Sequence, residues 1–133
     1  MERLYIGDWQ DARDASAPGL VKVTVAKESP FVGDYYYPLI DAEDQSNESL
    51  LGDAIQKVAE LHDDDRTVVV HCVSGISRSC AVVIGYLMMR GMTYNASYDL
   101  VRKARPAMNP EQDLVRLLKL EKARLGVDSR AQS

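Results

Sequence analysis

Apolar and polar side chains alternate through LVKVTVA, residues 20–26, as they do in a strand that buries one face. The run TVVV at 67–70 does not alternate. Its β-branched side chains predict a strand buried on both faces. Residues 79–89 are almost wholly apolar and predict a buried helix that ends near Gly91. Leu50, Leu51, Ala54, Ile55, Val58, Ala59 and Leu61 recur at helical spacing. They predict an amphipathic helix capped by Asn47 or Ser49 and ended by Asp63-Asp64-Asp65. Residues 3–7 and 35–40 read as further strands, the second placed at an edge by Pro38. Residues 9–15 hold room for one short helical turn before Pro18-Gly19. Residues 93–105 and 111–125 predict two closing helices, set apart by Pro106 and Pro110. Strands that give way to helices in this order predict an α/β fold: three layers, with a central, mainly parallel (mixed) sheet flanked by helices.

The chain has 133 residues, 46% of them hydrophobic and 27% charged. That suits one globular domain, expected over residues 1–126, with a polar tail at 127–133. Sixteen basic residues against twenty acidic ones leave a net charge of −4. This balance argues against nucleic acid and against an anionic membrane surface as the main partner. The longest uncharged stretches, 67–77 and 79–89, are too short to span a bilayer. The first residues are charged and carry no signal-peptide core. Two cysteines, Cys72 and Cys80, are too few for a secreted disulfide scaffold. A cytoplasmic enzyme or binding domain is the expectation. Its oligomeric state is left open.

The densest chemistry lies in HCVSGISRS, residues 71–79, between the buried strand and the buried helix. Crevices at the carboxyl ends of strands are where open α/β sheets bind ligands. A turn with a glycine that enters a helix gathers backbone N–H groups around one point, and the helix dipole adds positive potential there. The N–H groups of Val73, Ser74, Gly75, Ile76 and Ser77 are therefore expected to cradle a phosphate or another oxyanion. Arg78, six residues after Cys72, can aim its planar fork at the same point. The same field favours Cys72 as a thiolate nucleophile that forms a phosphocysteine intermediate. Ser79 places a hydroxyl beside the sulfur, and His71 is expected to brace the loop backbone. Cys80 reads as core, with a reversible disulfide to Cys72 as the sharper alternative. His62 beside Asp63, Asp64 and Asp65 reads as a solvated helix end rather than a metal site. Arg102 and Arg105 read as a solvated helix face, with a place near the pocket mouth that favours acidic substrates as the alternative. There is no G-x-G-x-x-G, no G-x-x-x-x-G-K-[ST] and no Cys-x-x-Cys, which argues against nucleotide-binding and thiol redox readings.

HCVSGISRS resembles the His-Cys-x5-Arg-Ser/Thr signature of the cysteine-based protein tyrosine phosphatases. The short chain looks like a small atypical member of the dual-specificity branch. RLYIGDWQDA, VKVTVAKES and RPAMNPEQDLVRLLKLE resemble the family's opening strand, second strand and closing helix region. Leu114 and Leu117 depart from the residues usual there. The resemblance implies a protein tyrosine phosphatase-like fold and a phosphoprotein substrate. It also implies a loop-supporting Asn109 and an aspartate general acid before the amphipathic helix. Counting from Ile40 favours Asp44, with Asp41 as the alternative. No metal and no cofactor are implied. The expected reaction is hydrolysis of phosphotyrosine, and of phosphoserine or phosphothreonine, because a short chain leaves a shallow pocket. A loop without lysine favours protein over phosphoinositide or RNA substrates. A catalytically idle phosphate-binding module is the rival, as is a phosphatase of a non-protein phosphomonoester.

Overall fold

The computed structural model describes residues 2–120. In chain order its elements are β1 (Leu4–Gly7), α1 (Trp9–Asp14), β2 (Leu20–Thr24), β3 (Tyr35–Tyr36) and α2 (Asn47–Asp63). Then follow β4 (Thr67–His71), α3 (Arg78–Met89), α4 (Tyr94–Ala104) and α5 (Gln112–Leu120). The predicted tail and the last residues of the predicted closing helix lie outside the described residues.

The strands run in the order β1-β4-β2-β3. Every pairing among the described residues is parallel, where the sequence allowed a mixed sheet. β4 lies between β1 and β2, with Val68, Val69, Val70 and His71 all buried. This explains its unbroken apolar run, since a strand covered on both faces has no solvent side to alternate with. β3 is shorter than predicted. It pairs only through Tyr35 and Tyr36, and Pro38, which has no N–H to donate, stands just beyond. Helices α1, α2 and α3 pack on the sheet, and α5 packs on α2 and α3.

Every residue of α3 from Arg78 to Met88 is buried, which is why the sequence shows no polar face there. Gly85 permits the close packing. A Cβ at that position would lie 2.2 Å from Ile55 Cδ1 and 2.8 Å from Leu118 Cδ2. Ile55, Ile84, Leu114 and Leu118 are sealed into this core, and each such side chain contributes about 1.5–3 kcal/mol relative to exposure.

Two helix starts differ from simple capping. α1 opens on a capping box, in which Asp8 accepts from Asp11 N at 2.7 Å and Asp11 accepts from Asp8 N at 3.3 Å. The N-cap of α2 is Ser46, not Asn47 or Ser49, and no side chain caps it. Asn47 instead turns its amide back into the preceding loop.

Candidate active site

Between the end of β4 and the start of α3 lie only residues 72–77, and every carbonyl from Cys72 to Ile76 is held. His71 Nδ1 donates to Cys72 O at 3.1 Å, and Trp9 N to Val73 O at 3.2 Å. Arg105 donates twice, from Nη2 to Ser74 O at 3.2 Å and from Nε to Gly75 O at 3.0 Å. Asn109 N donates to Ile76 O at 2.6 Å. In a planar trans peptide the C=O and the following N–H point opposite ways. Carbonyls drawn to the flanking elements therefore turn the N–H groups of residues 73–77 to the concave side. Such a nest is an anion site before any side chain is added.

Gly75 makes the turn possible. Its φ is +74°, and a Cβ there would lie 2.7 Å from Gly7 C and 2.8 Å from Asp8 N. Its N–H donates to Cys72 Sγ at 3.3 Å, so the sulfur sits inside the nest. Ser79 Oγ lies 3.2 Å from the same sulfur. On the outer side, Cys80 Sγ donates weakly to Gly75 O at 3.6 Å. Burial, and then the charge of Cys72, push the Cys80 thiol up to about 12, which leaves it a protonated core residue. Neither cysteine is in a disulfide.

His71 is fully buried and braces the loop, as its position predicts. A carbonyl can only accept, so Nδ1 carries the proton and Nε2 accepts from Thr24 Oγ1 at 2.6 Å. Thr24 Oγ1 accepts in turn from Gly33 N at 2.8 Å. Burial lowers the pKa of His71, which keeps the imidazole neutral.

Arg78 is buried, and its guanidinium is locked from one end. Nη1 donates to Glu28 Oε1 at 2.6 Å and to Leu39 O at 2.9 Å, and Nη2 donates to Glu28 Oε2 at 2.8 Å. Burial alone would disfavour the charge, but Glu28 more than offsets it and the pKa is raised. The hydrogen bond from Arg78 lowers that of Glu28. Arg78 Nε is buried and has no partner.

The two candidate aspartates of the acidic loop have different partners. Asp44 Oδ1 accepts from Ser46 N at 2.9 Å and Ser46 Oγ at 2.5 Å, and these bonds lower its pKa. Asp41 Oδ1 instead accepts from Ser77 Oγ, in the turn between β4 and α3, at 2.5 Å. Ser77 Oγ also accepts from Glu111 N at 3.0 Å, so one hydroxyl joins the acidic loop, the nest and the approach to α5.

The sequence singled out Cys72, Arg78, Ser79, His71 and the nest residues, and the structure brings them together. Asn109 meets the loop through its backbone only. Sequence reasoning missed Glu28, Thr24 and the bracing role of Arg105. His62 is not simply solvated, for Nδ1 pairs with Tyr86 Oη at 2.6 Å and Nε2 with Glu2 O at 2.8 Å. Among the described residues no group of three or more His, Cys, Asp or Glu could hold a metal ion.

Comparison with known proteins gives one consistent picture. The family model described as the dual specificity phosphatase catalytic domain matches residues 21–123. Dual specificity protein phosphatase Mpk3 of Drosophila melanogaster is 35% identical over 85 residues, 63% of this chain and 21% of that protein. Dual specificity protein phosphatase 22 of Homo sapiens is 30% identical over 124 residues, 86% of this chain and 67% of that protein. This chain thus spans about a fifth of the length of the Drosophila relative. The crystal structure of human DUSP28 superposes with a TM-score of 0.79 at 22% identity, covering 95% of this chain and 92% of that one. A mouse putative dual specificity phosphatase complexed with zinc tungstate gives 0.77 at 27% identity, covering 97% and 87%.

Proposed function

Because this chain belongs to the dual specificity phosphatase catalytic-domain family, we propose that it hydrolyses phosphotyrosine, and phosphoserine or phosphothreonine, in proteins through a phosphocysteine at Cys72. The observation that carries the reading is Cys72 Sγ, which takes the N–H of Gly75 at 3.3 Å and lies 3.2 Å from Ser79 Oγ, in a turn whose carbonyls are all held from outside.

The substrate phosphate fills the nest, and the free Nε edge of Arg78 takes two of its oxygens. The Cys72 thiolate attacks phosphorus. The S–P bond forms and the P–O bond to the leaving oxygen breaks. Asp41, in its acid form, gives that oxygen a proton. Water then attacks the phosphocysteine, Asp41 takes back a proton, and the S–P bond breaks. The Ser79 hydroxyl donates to the departing sulfur. Asp41 is preferred to Asp44 because it already touches the phosphate loop through Ser77. The carboxylate of Asp44 is taken up by Ser46, whose hydrogen bonds lower its pKa. The scheme needs neither metal nor cofactor.

Several observations support the finer parts of this reading. Tungstate, named in the structure of the mouse relative, is a tetrahedral oxyanion like phosphate. The loop carries no lysine that would favour a more highly charged lipid or nucleotide phosphate. Two unpaired cysteines fit a reducing compartment such as the cytoplasm. No helix among the described residues is long and apolar enough to cross a membrane.

The test is turnover of an aryl phosphate in EDTA. Wild type should turn over and be blocked by vanadate, and Cys72→Ser should be inert. Binding without turnover by the wild type would instead make this a phosphate-binding module.

A further inference from the structure

Asn47 is fully buried at the first position of α2, yet it does not cap that helix. Its amide is used on the acidic loop. Oδ1 accepts from Ile40 N at 2.9 Å, and Nδ2 donates to Ile40 O at 2.9 Å and to Ala42 O at 3.1 Å. Both N–H groups are thereby used, and all three bonds fall on the residues either side of Asp41.

We propose that Asn47 is the positioning residue for proton donation by Asp41: it clamps the backbone on both sides of position 41 so that the carboxyl faces the leaving oxygen. This rests on the reading of Asp41 as the general acid. Two contacts then hold Asp41. Asn47 fixes its backbone, and Ser77, in the nest, receives its carboxylate. A side chain held at both ends stays in line without a separate loop-closing step. The arrangement also accounts for the bare start of α2. Asn is a favoured N-cap, and here its hydrogen-bonding capacity goes to the loop instead.

The leaving group separates this role from a merely structural one. Phenolate leaves poorly and needs the proton, whereas dinitrophenolate leaves well without it. Wild type, Asn47→Asp, Asn47→Ala and Asp41→Asn would be assayed on phenyl phosphate and on dinitrophenyl phosphate, in EDTA. Asn47→Asp keeps the acceptor for Ile40 N and loses both N–H donors. Any loss of folded protein scales both rates of a variant equally, so the ratio of the two rates reports positioning alone.

All losses are read in kcat/KM, which reports the attack on phosphorus and not the later hydrolysis: Asp41→Asn should lose roughly a hundredfold on phenyl phosphate and little on dinitrophenyl phosphate. Asn47→Asp and Asn47→Ala should lose roughly tenfold or more on phenyl phosphate and much less on dinitrophenyl phosphate. Combining Asn47→Asp with Asp41→Asn should add almost nothing on phenyl phosphate, since there is then no acid left to position. Equal losses on both substrates in the Asn47 variants, or no loss on either, would overturn the proposal while leaving Asp41 as the acid. If Asp41→Asn itself showed no leaving-group dependence, the acid assignment would fail and the proposal with it.

Discussion

Glu28 and Arg78 stand fifty residues apart in sequence and meet as a two-pronged ion pair, at 2.6 and 2.8 Å. The pair fixes which edge of the guanidinium is left for substrate. Charge and position predict opposite effects for Glu28→Gln. Removing a negative charge near an anion site should tighten phosphate binding by Coulomb attraction alone. An amide, however, offers one acceptor where the fork needs two. We expect position to win, with kcat/KM lower by roughly tenfold. Steady-state kinetics and vanadate inhibition would show it, and tighter vanadate binding would favour charge.

Asp44 should be dispensable for chemistry. Its carboxylate serves Ser46 at the entry to α2, so Asp44→Asn should change kcat on phenyl phosphate by less than about threefold, far below the effect expected of a general acid. A loss on the scale of Asp41→Asn would return the acid role to Asp44.

Gly75→Ala should disable the nest. The position combines φ +74° with backbone atoms at 2.7 and 2.8 Å from any Cβ, and those atoms belong to Gly7 and Asp8, which cannot rotate aside. Turnover should fall by roughly a hundredfold or more as the N–H groups lose their common focus. Melting temperature and phosphate binding measured together would separate a deformed loop from a collapsed fold.

Stability should decline on mild acidification partly through His71. Burial lowers its pKa in the folded state, so the unfolded chain binds the proton first as the pH falls. The contribution of His71 is complete above its unfolded value of about 6.5 and is lost as the pH drops toward and through the lowered folded value. Denaturant titrations at pH 7.5 and 5.5 should show a smaller pH dependence for His71→Asn than for wild type. Equal slopes would remove His71 from the account.

The strand, turn and helix from β4 through α3 could be read in the sequence because each part carries a local sign. The β-branched run, the glycine in the turn and the almost wholly apolar helix need no distant partner to be recognised. The residues that hold the site have no such sign. Glu28 reaches Arg78 across fifty positions, and Arg105 reaches Gly75 across thirty. Each looks locally like a solvated charge. The resemblance favours Asp44 by counting four residues on from Ile40, and a count along the chain carries no sign of the partners each carboxylate meets. The chain bends at once, since Asn47 Nδ2 takes both Ile40 O and Ala42 O, and Asp41 is the residue left facing Ser77. β3 is shorter than its sequence suggests for a related reason: aromatic and apolar side chains run from 35 to 40, but pairing stops at Tyr36, just before Pro38.

The most direct test is to look for the covalent intermediate. The protein would be mixed rapidly with a phosphotyrosine peptide, quenched in alkaline denaturant, where an S–P bond survives, and analysed by mass spectrometry of its peptides. Phosphate should appear transiently on Cys72 in wild type and be absent from Cys72→Ser. Steady turnover with no phosphate on Cys72 in wild type or Asp41→Asn, or continued turnover by Cys72→Ser, would contradict this.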